Sequence, residues 1–296
     1  MAKLNKSLVT LARQAGGSFK TVADRMKIAD RFADRLLKIN IQIRDASHLK
    51  TSHIALYVKS RLAENISKRS LQNEMASIRA VLRMAGKTFM ANPAHEKLSN
   101  DALGISGESR DGTKVAIPDE IYESVLAKVR EADPGAGAAM ELSRHLGLRT
   151  EEAIQSVKSL KTWQKVILNE QEKVRVVFGT KGGRPRDTTI LDRKVLGSVI
   201  NNAIKVAEAN NGRLIYKTGI HLAIDRYRNI VRDAGLVGKY APHSLRYAYS
   251  RDATAFHIKK GFSQKEAEAL VSMDLGHGDG RGHYVARVYN KVDSDV

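Results

Sequence analysis

The chain has 296 residues, 42% of them hydrophobic, with no cysteine and a formal net charge of +18 from 50 Lys+Arg against 32 Asp+Glu. Without cysteine it has neither a disulfide nor a thiolate zinc site, and no run of about 18 or more apolar residues supplies a transmembrane helix. The opening MAKLNKSLVTLARQAGG lacks the long apolar core of a secretory signal, so the composition points to a soluble intracellular protein, and a basic excess of this size points to nucleic acid, whose phosphates lysine and arginine neutralise as counterions leave.

The charge is uneven. Residues 1–100 hold 19 Lys+Arg and 7 Asp+Glu, the remainder 31 and 25, so one third of the chain carries two thirds of the excess. This asymmetry suggests an N-terminal DNA clamp joined to a less basic domain. Residues 1–100 read as helical. In SLQNEMASIRAVLRMAGK, Leu71, Met75, Ile78 and Leu82 fall on one helix face, with Ser70 and Gly86 as boundaries. Ile28, Phe32 and Leu36 form a similar stripe. Lys27, Arg31, Arg35, Lys68, Arg69, Arg79 and Arg83 lie largely off these stripes. Lys68, Arg69, Arg79 and Arg83 are therefore candidate DNA contacts, set against an ordinary solvated helix surface.

SNDALGISGESRDGTKVAIP, residues 99–118, is rich in Ser, Gly and Asp and reads as a linker, taken as 101–116. Pro118 opens a helix with acids in its first turn. Residues 137–147 and 150–158 look helical, with Gly147 between. KVRVVFGTKGGRPRDTTIL reads as two strands, 174–178 and 188–191, around a Gly-Gly turn. Helices resume over about 193–209 and 219–234, then from Pro242 to before Gly261. SQKEAEALVSMDLG has Ser263 and Glu266 in capping-box spacing and Gly276 as its stop.

Polar reactive groups concentrate in three stretches. In RHLGLRTEEA (144–153), Arg149 sits at a tight junction between helices. In APHSLRYAYS (241–250), His243 and Arg246 stand at i and i+3, two cationic donors on one helix face that suit a phosphate. LGHGDGRGHYVARVYN (275–290) crowds glycines on alternate positions with His277, Tyr284 and Tyr289.

Arg in GLRTEE, Lys in a β-turn, His-x-x-Arg in HSLR, Gly-His in LGHG and a late Tyr in RVYN follow the order of the tyrosine recombinase, or phage integrase, family. The chain resembles that family over nearly its whole length, most closely the integrases of proteobacterial prophages and mobile elements. No one motif is specific, but five in the right order from 149 to 289 are hard to obtain by chance. The resemblance implies an α+β, mainly helical fold: a SAM-like helical core-binding domain at 1–100, and a catalytic domain with a small antiparallel sheet at 117–296. It implies a site-specific recombinase that cuts and rejoins DNA through a 3′-phosphotyrosyl bond, without metal, ATP or other cofactor.

By the same resemblance Arg149 and Arg246 clamp the nonbridging phosphate oxygens, Lys181 protonates the departing 5′ oxygen, and His243 assists proton removal from the tyrosine. His277 hydrogen-bonds the phosphate and Glu152 orients the site. Arg184 and Arg186 flank the turn as alternatives to Lys181 or as further DNA contacts. Tyr284 lies 7 residues beyond His277 and Tyr289 lies 12 beyond, on either side of the family's usual spacing. The aliphatic-Tyr ending favours Tyr289, with Tyr284 as alternative nucleophile and the glycines as a flexible connection that lets the nucleophile move. Tyr247 and Ala248 stand where family members often carry His-Thr.

The implied partner is double-stranded DNA, with a homotetramer on DNA, accessory DNA-bending or directionality proteins, no membrane, and a location in the bacterial cytoplasm on the nucleoid. After Asn290 only KVDSDV remains, too short for a lasting helix, so a monomer is expected free in solution. Two rival functions are a non-catalytic sequence-specific DNA-binding protein, and a metal-dependent nuclease using His277, Asp279 and His283.

Overall fold

The computed structural model describes residues 3–109 and 111–290. The tail KVDSDV, on which the expectation about free monomers rests, lies outside the described residues. The chain divides into two compact units, Met1–Arg110 and Asp111–Val296.

The first unit is built from α1 (Lys3–Gln14), α2 (Phe19–Lys38), α3 (Thr51–Ala63) and α4 (Lys68–Met84). α1, α2 and α4 are amphipathic and bury their stripes: Leu4 and Leu8 from α1, Phe32 and Leu36 from α2, Leu71, Met75, Ile78 and Leu82 from α4. Ser67 rather than Ser70 caps α4, its hydroxyl accepting from the Ser70 N–H at 3.3 Å.

The basic residues of this unit do not all face solvent. The carboxylate of Glu74, buried on α4, accepts from Arg31 at 2.7 Å, from the Tyr57 hydroxyl at 2.7 Å and from Arg61 at 3.0 Å. Arg35 bonds Ser60 and Glu64. Arg79, expected as a DNA contact, is 6% exposed and donates to the Leu98 carbonyl and Asn100, both at 2.9 Å. It holds the irregular segment after α4 in place. Lys68, Arg69 and Arg83 are exposed.

The expected linker is largely absorbed by the two units. Ile105 is fully buried in the first core, and its carbonyl accepts from Gln72 at 2.7 Å. On the other side, Asp111 pairs with Arg287 at 3.0 Å, and Lys114 and Val115 bond the 238–239 turn. The Ser/Gly/Asp composition hid Leu103, Ile105 and Ala116, whose apolar side chains pack onto the neighbouring cores.

The second unit contains α5 (Asp119–Ala132), α6 (Pro134–Leu146), α7 (Thr150–Gln155), α8 (Leu160–Leu168), β1 (Lys173–Val176), β2 (Arg186–Thr189), α9 (Arg193–Ala209), α10 (Ile220–Asp233), α11 (Ser244–Lys259), α12 (Gln264–Asp274) and α13 (Gly282–Val288). β1 and β2 pair antiparallel, with Lys173 opposite Thr189 and Val176 opposite Arg186. The small sheet and predominance of helix match the expected class. The strands are set about two residues earlier than expected, because Val177 and Phe178 lie in the connecting loop, where Lys158 covers the Phe178 ring at 5.1 Å. α8 was not anticipated, although Leu160, Trp163 and Ile167 have helical spacing; Trp163 is buried and donates to the Arg175 carbonyl at 2.9 Å.

The main core of this unit lies among α5, α6, α9 and α10, with Trp163, Val174 and Val176 at one side. A smaller cluster gathers Tyr247, Tyr249, Val271, Leu275, Val285, Val288 and Tyr289, and this cluster carries the polar site. Among the described residues no helix is long and apolar enough to cross a membrane.

Candidate active site

Four local structures deliver the site. α6 stops at Gly147, which is left-handed (φ +57), so the chain reverses into α7 and presents Arg149 at its start. There the Arg149 N–H donates to Glu152 Oε2 at 2.8 Å, and its Nη1 donates to Oε1 at 2.7 Å. His243 precedes α11, and Arg246 lies in its first turn. α12 ends at Asp274, leaving the Leu275 carbonyl free and bringing His277 round a tight glycine turn. Tyr289 follows α13 directly.

Arg246 is fully buried. Its two terminal nitrogens donate to the carbonyls of Gly147 and Leu275, and its Nε faces the Tyr289 hydroxyl at 3.3 Å. Arg246 is therefore not an ordinary solvated arginine of a helix surface. The Tyr289 hydroxyl also lies 3.1 Å from His277 Nε2 and 3.4 Å from His243 Nε2. Its ring packs on Tyr247 with centroids 4.6 Å apart. Tyr284 meets the His277 ring at 5.0 Å and the Tyr289 ring at 6.1 Å, a packing position at the edge of the cluster.

Three guanidiniums, Arg149, Arg186 and Arg246, surround one carboxylate, Glu152. Burial works against the charge of Glu152, but Arg186, Arg246 and Arg149 outweigh it and hold the carboxyl below its usual range. The surplus positive charge acts on the histidines. Burial, then Arg246 and Arg149, push His277 down to about 3. The same causes lower His243, although solvent reaches that ring and tempers the effect. Both imidazoles are therefore neutral at pH 7, and their ring nitrogens can accept a proton or a hydrogen bond.

The structure brings Arg149, Glu152, His243, Arg246, His277 and Tyr289 together. Lys181 stands apart from them, exposed in the turn between β1 and β2, with Arg184 exposed beside it. The stem of that hairpin approaches the site closely: a Cβ on Gly179 would lie 2.7 Å from the Glu151 carbonyl oxygen. Arg186, expected as an alternative to Lys181 or as a further DNA contact, does not lie on the surface. It is 6% exposed and bonds Glu152 at 2.9 Å. The proposed metal set His277, Asp279 and His283 does not assemble: His277 turns to Tyr289, and among the described residues no group of three or more metal-ligating side chains is found.

Sequence reasoning missed Asp274. Its carboxylate is fully buried and accepts from the Thr189 hydroxyl at 3.0 Å, with the Tyr249 hydroxyl 3.2 Å and the Lys173 ammonium 3.6 Å away. Its backbone carbonyl accepts from the Thr188 hydroxyl at 3.1 Å. These bonds fasten the hairpin to the end of α12. The signal was present: an acid in the last turn of a helix opposes the helix dipole and needs a compensating partner.

Two family models match the chain: "Integrase" over residues 104–252 and "Phage integrase, N-terminal" over residues 1–91. No curated protein matches. Among solved structures, a lambda integrase tetramer bound to a Holliday junction is 17% identical. That match covers 99% of this chain and 78% of the other, with TM-score 0.62. The Tn1549 transposon integrase in complex with transposon right end DNA is 12% identical, covering 98% and 96% with TM-score 0.59. Lambda integrase residues 75–356 bound to DNA is 16% identical, covering 99% and 98% with TM-score 0.54. At these identities the structures establish a shared fold.

Proposed function

The chain belongs to the phage integrase family of tyrosine recombinases, and from that premise we propose that Tyr289 is its DNA-cleaving nucleophile. The convergence of His277, Arg246 and His243 on the Tyr289 hydroxyl, at 3.1, 3.3 and 3.4 Å, carries this reading. The reaction is site-specific strand exchange. The tyrosine oxygen bonds the scissile phosphorus, the bond from phosphorus to the 5′ oxygen breaks, and the 3′ end stays on the enzyme. Attack by a second 5′ hydroxyl reverses the step and frees Tyr289, so the broken bond's energy is conserved in the phosphotyrosine.

Each proton has a carrier. A tyrosine hydroxyl titrates near 10 in water and is a poor nucleophile at pH 7 unless a base takes its proton. His243, kept neutral by its surroundings, accepts it. The incoming phosphate places negative charge beside His243 and raises its affinity for that proton. Lys181 gives a proton to the departing 5′ oxygen from its hairpin turn. Arg149 and Arg246 take the nonbridging oxygens, where fixed planar donors are worth roughly 3–4 kcal/mol each at a developing anion. His277 supplies a further hydrogen bond.

Double-stranded DNA is the partner. The assembly we infer is a homotetramer at two recombining sites, aided by accessory proteins that bend DNA or set direction, and working on the bacterial nucleoid. A non-catalytic DNA binder would share the charge but have no use for a tyrosine enclosed by two histidines and an arginine.

A nicked suicide substrate tests the assignment. Tyr289→Phe should bind DNA with near-normal affinity and form no covalent adduct, whereas Tyr284→Phe should still form one. The reverse pattern transfers the nucleophile to Tyr284.

A further inference from the structure

Arg186 is the cationic residue of this site that the reaction does not use. It opens β2, five positions after Lys181, and its side chain runs inward rather than toward solvent. Its Nη2 donates to Glu152 Oε2 at 2.9 Å and to the Gly147 carbonyl at 3.2 Å. Both acceptors are shared with the phosphate clamp. Glu152 also holds Arg149, and the Gly147 carbonyl also holds Arg246. On its other side the aliphatic stem lies under Gly276, the neighbour of His277. A Cβ there would sit 2.7 Å from Arg186 Cδ, and φ is +69, so only glycine leaves room for the arginine. One side chain thus touches the junction before α7, the supporting acid and the turn carrying His277, and it belongs to the hairpin that carries Lys181.

Resting on the reading of the site given above, we propose that Arg186 is a positioning residue for strand cleavage: it splints Glu152 and the Gly147 carbonyl so that Arg149 and Arg246 stand ready for the phosphate before DNA arrives. The chemistry requires an arginine. Both bonds leave one terminal nitrogen, Nη2, whose two N–H bonds point in fixed directions within the guanidinium plane, whereas an ammonium rotates as a point charge on a flexible stem. The site also bears a cost that a purely structural ion pair would avoid. Arg186 is enclosed beside two other guanidiniums, and its Nε and Nη1 have no hydrogen-bond partner. Burial, then Arg246, bring its acidity to about 10, so it remains charged at pH 7. A buried cation facing like charges is tolerated where an arriving anion will balance the cluster.

The test measures DNA affinity and the single-turnover rate of adduct formation at saturating DNA, separately, for the whole chain. Arg186→Met should slow adduct formation by about 100-fold, the size expected when a reacting group is displaced by about 1 Å, with affinity changed less than about threefold. Arg186→Lys should recover part of the rate. The Glu152→Gln, Arg186→Met double variant should be no slower than the worse single variant, because both act on one element. Wild-type rate in Arg186→Met overturns the proposal, as do losses that multiply in the double variant. If Arg186→Met does not fold, Arg186→Lys decides: a slowed rate with unchanged melting temperature supports the splint, and an unchanged rate overturns it. Tyr289→Phe is run alongside. An adduct surviving in that variant would sink the nucleophile assignment, a result independent of how Arg186 behaves.

Discussion

His277 shows how the site's surplus positive charge becomes a property of the whole fold. In an unfolded chain its imidazole titrates near 6.5; in the fold, burial and Arg246 hold it down to about 3. Between those values the unfolded chain binds a proton that the folded chain refuses. Stability therefore rises with pH across this window: it is fully present above about 6.5 and is lost as pH falls toward about 3. His243 adds to the same slope with the same sign. We expect the melting temperature to fall on acidification from pH 7 to pH 4, and His277→Asn to flatten that fall. A variant as acid-sensitive as the parent would show that His277 takes no part. DNA should act in the opposite sense, because a phosphate beside the imidazoles favours their protonated forms; binding near pH 5.5 should then take up protons, measurable by calorimetry in buffers of different ionisation enthalpy.

At the scale of elements, the hairpin and α12 are joined through a buried acid. Asp274 draws on Thr189, Tyr249 and Lys173, and the carbonyl of the next residue, Leu275, supports Arg246. Asp274→Ala leaves buried donors unmet, so it should destabilise the second unit by about 2–4 kcal/mol, and thermal unfolding of the intact chain measures the loss. Asp274→Asn can still accept from Thr189 and should lose less. If Asp274→Ala melted with the parent, the network would be incidental to the fold. The helices that bracket this network were legible because their stripes and caps are local: Ser263 with Glu266, the stop at Gly147, the acids after Pro118. Local pattern could also order the reactive residues along the chain. It could not distinguish an arginine on the surface from one inside, since Arg184 and Arg186 are two positions apart on the same hairpin and only the fold decides which turns inward. Nor could it find Ile105 in a segment whose Ser, Gly and Asp mimic a linker, because what buries Ile105 is the core formed by α1 to α4.

At the scale of the whole molecule, the excess charge of residues 1–100 divides into two populations with different tasks. Arg31 and Arg61 neutralise the buried Glu74, and Arg79 ties down the segment after α4. These arginines maintain the first unit and have little left for DNA. Lys68, Arg69 and Arg83 are exposed on α4 and are free to meet phosphates. Net charge alone therefore overstates the DNA-binding footprint. Each phosphate contact releases counterions, so removing one lowers the slope of log affinity against log salt by roughly 0.9. Lys68→Ala, Arg69→Ala and Arg83→Ala should each weaken DNA binding at low salt, reduce that slope by about one and leave the melting temperature unchanged. Arg79→Ala should do the opposite. It removes a buried guanidinium from the Leu98 carbonyl and from Asn100, so it should lower stability by about 1–3 kcal/mol while the salt slope of the folded fraction keeps its value. Affinity titrations from 50 to 200 mM salt, paired with melting curves, separate the two groups. A salt slope that falls in Arg79→Ala and holds in all three surface variants would mean that DNA reads a face of α4 other than the one Lys68, Arg69 and Arg83 present.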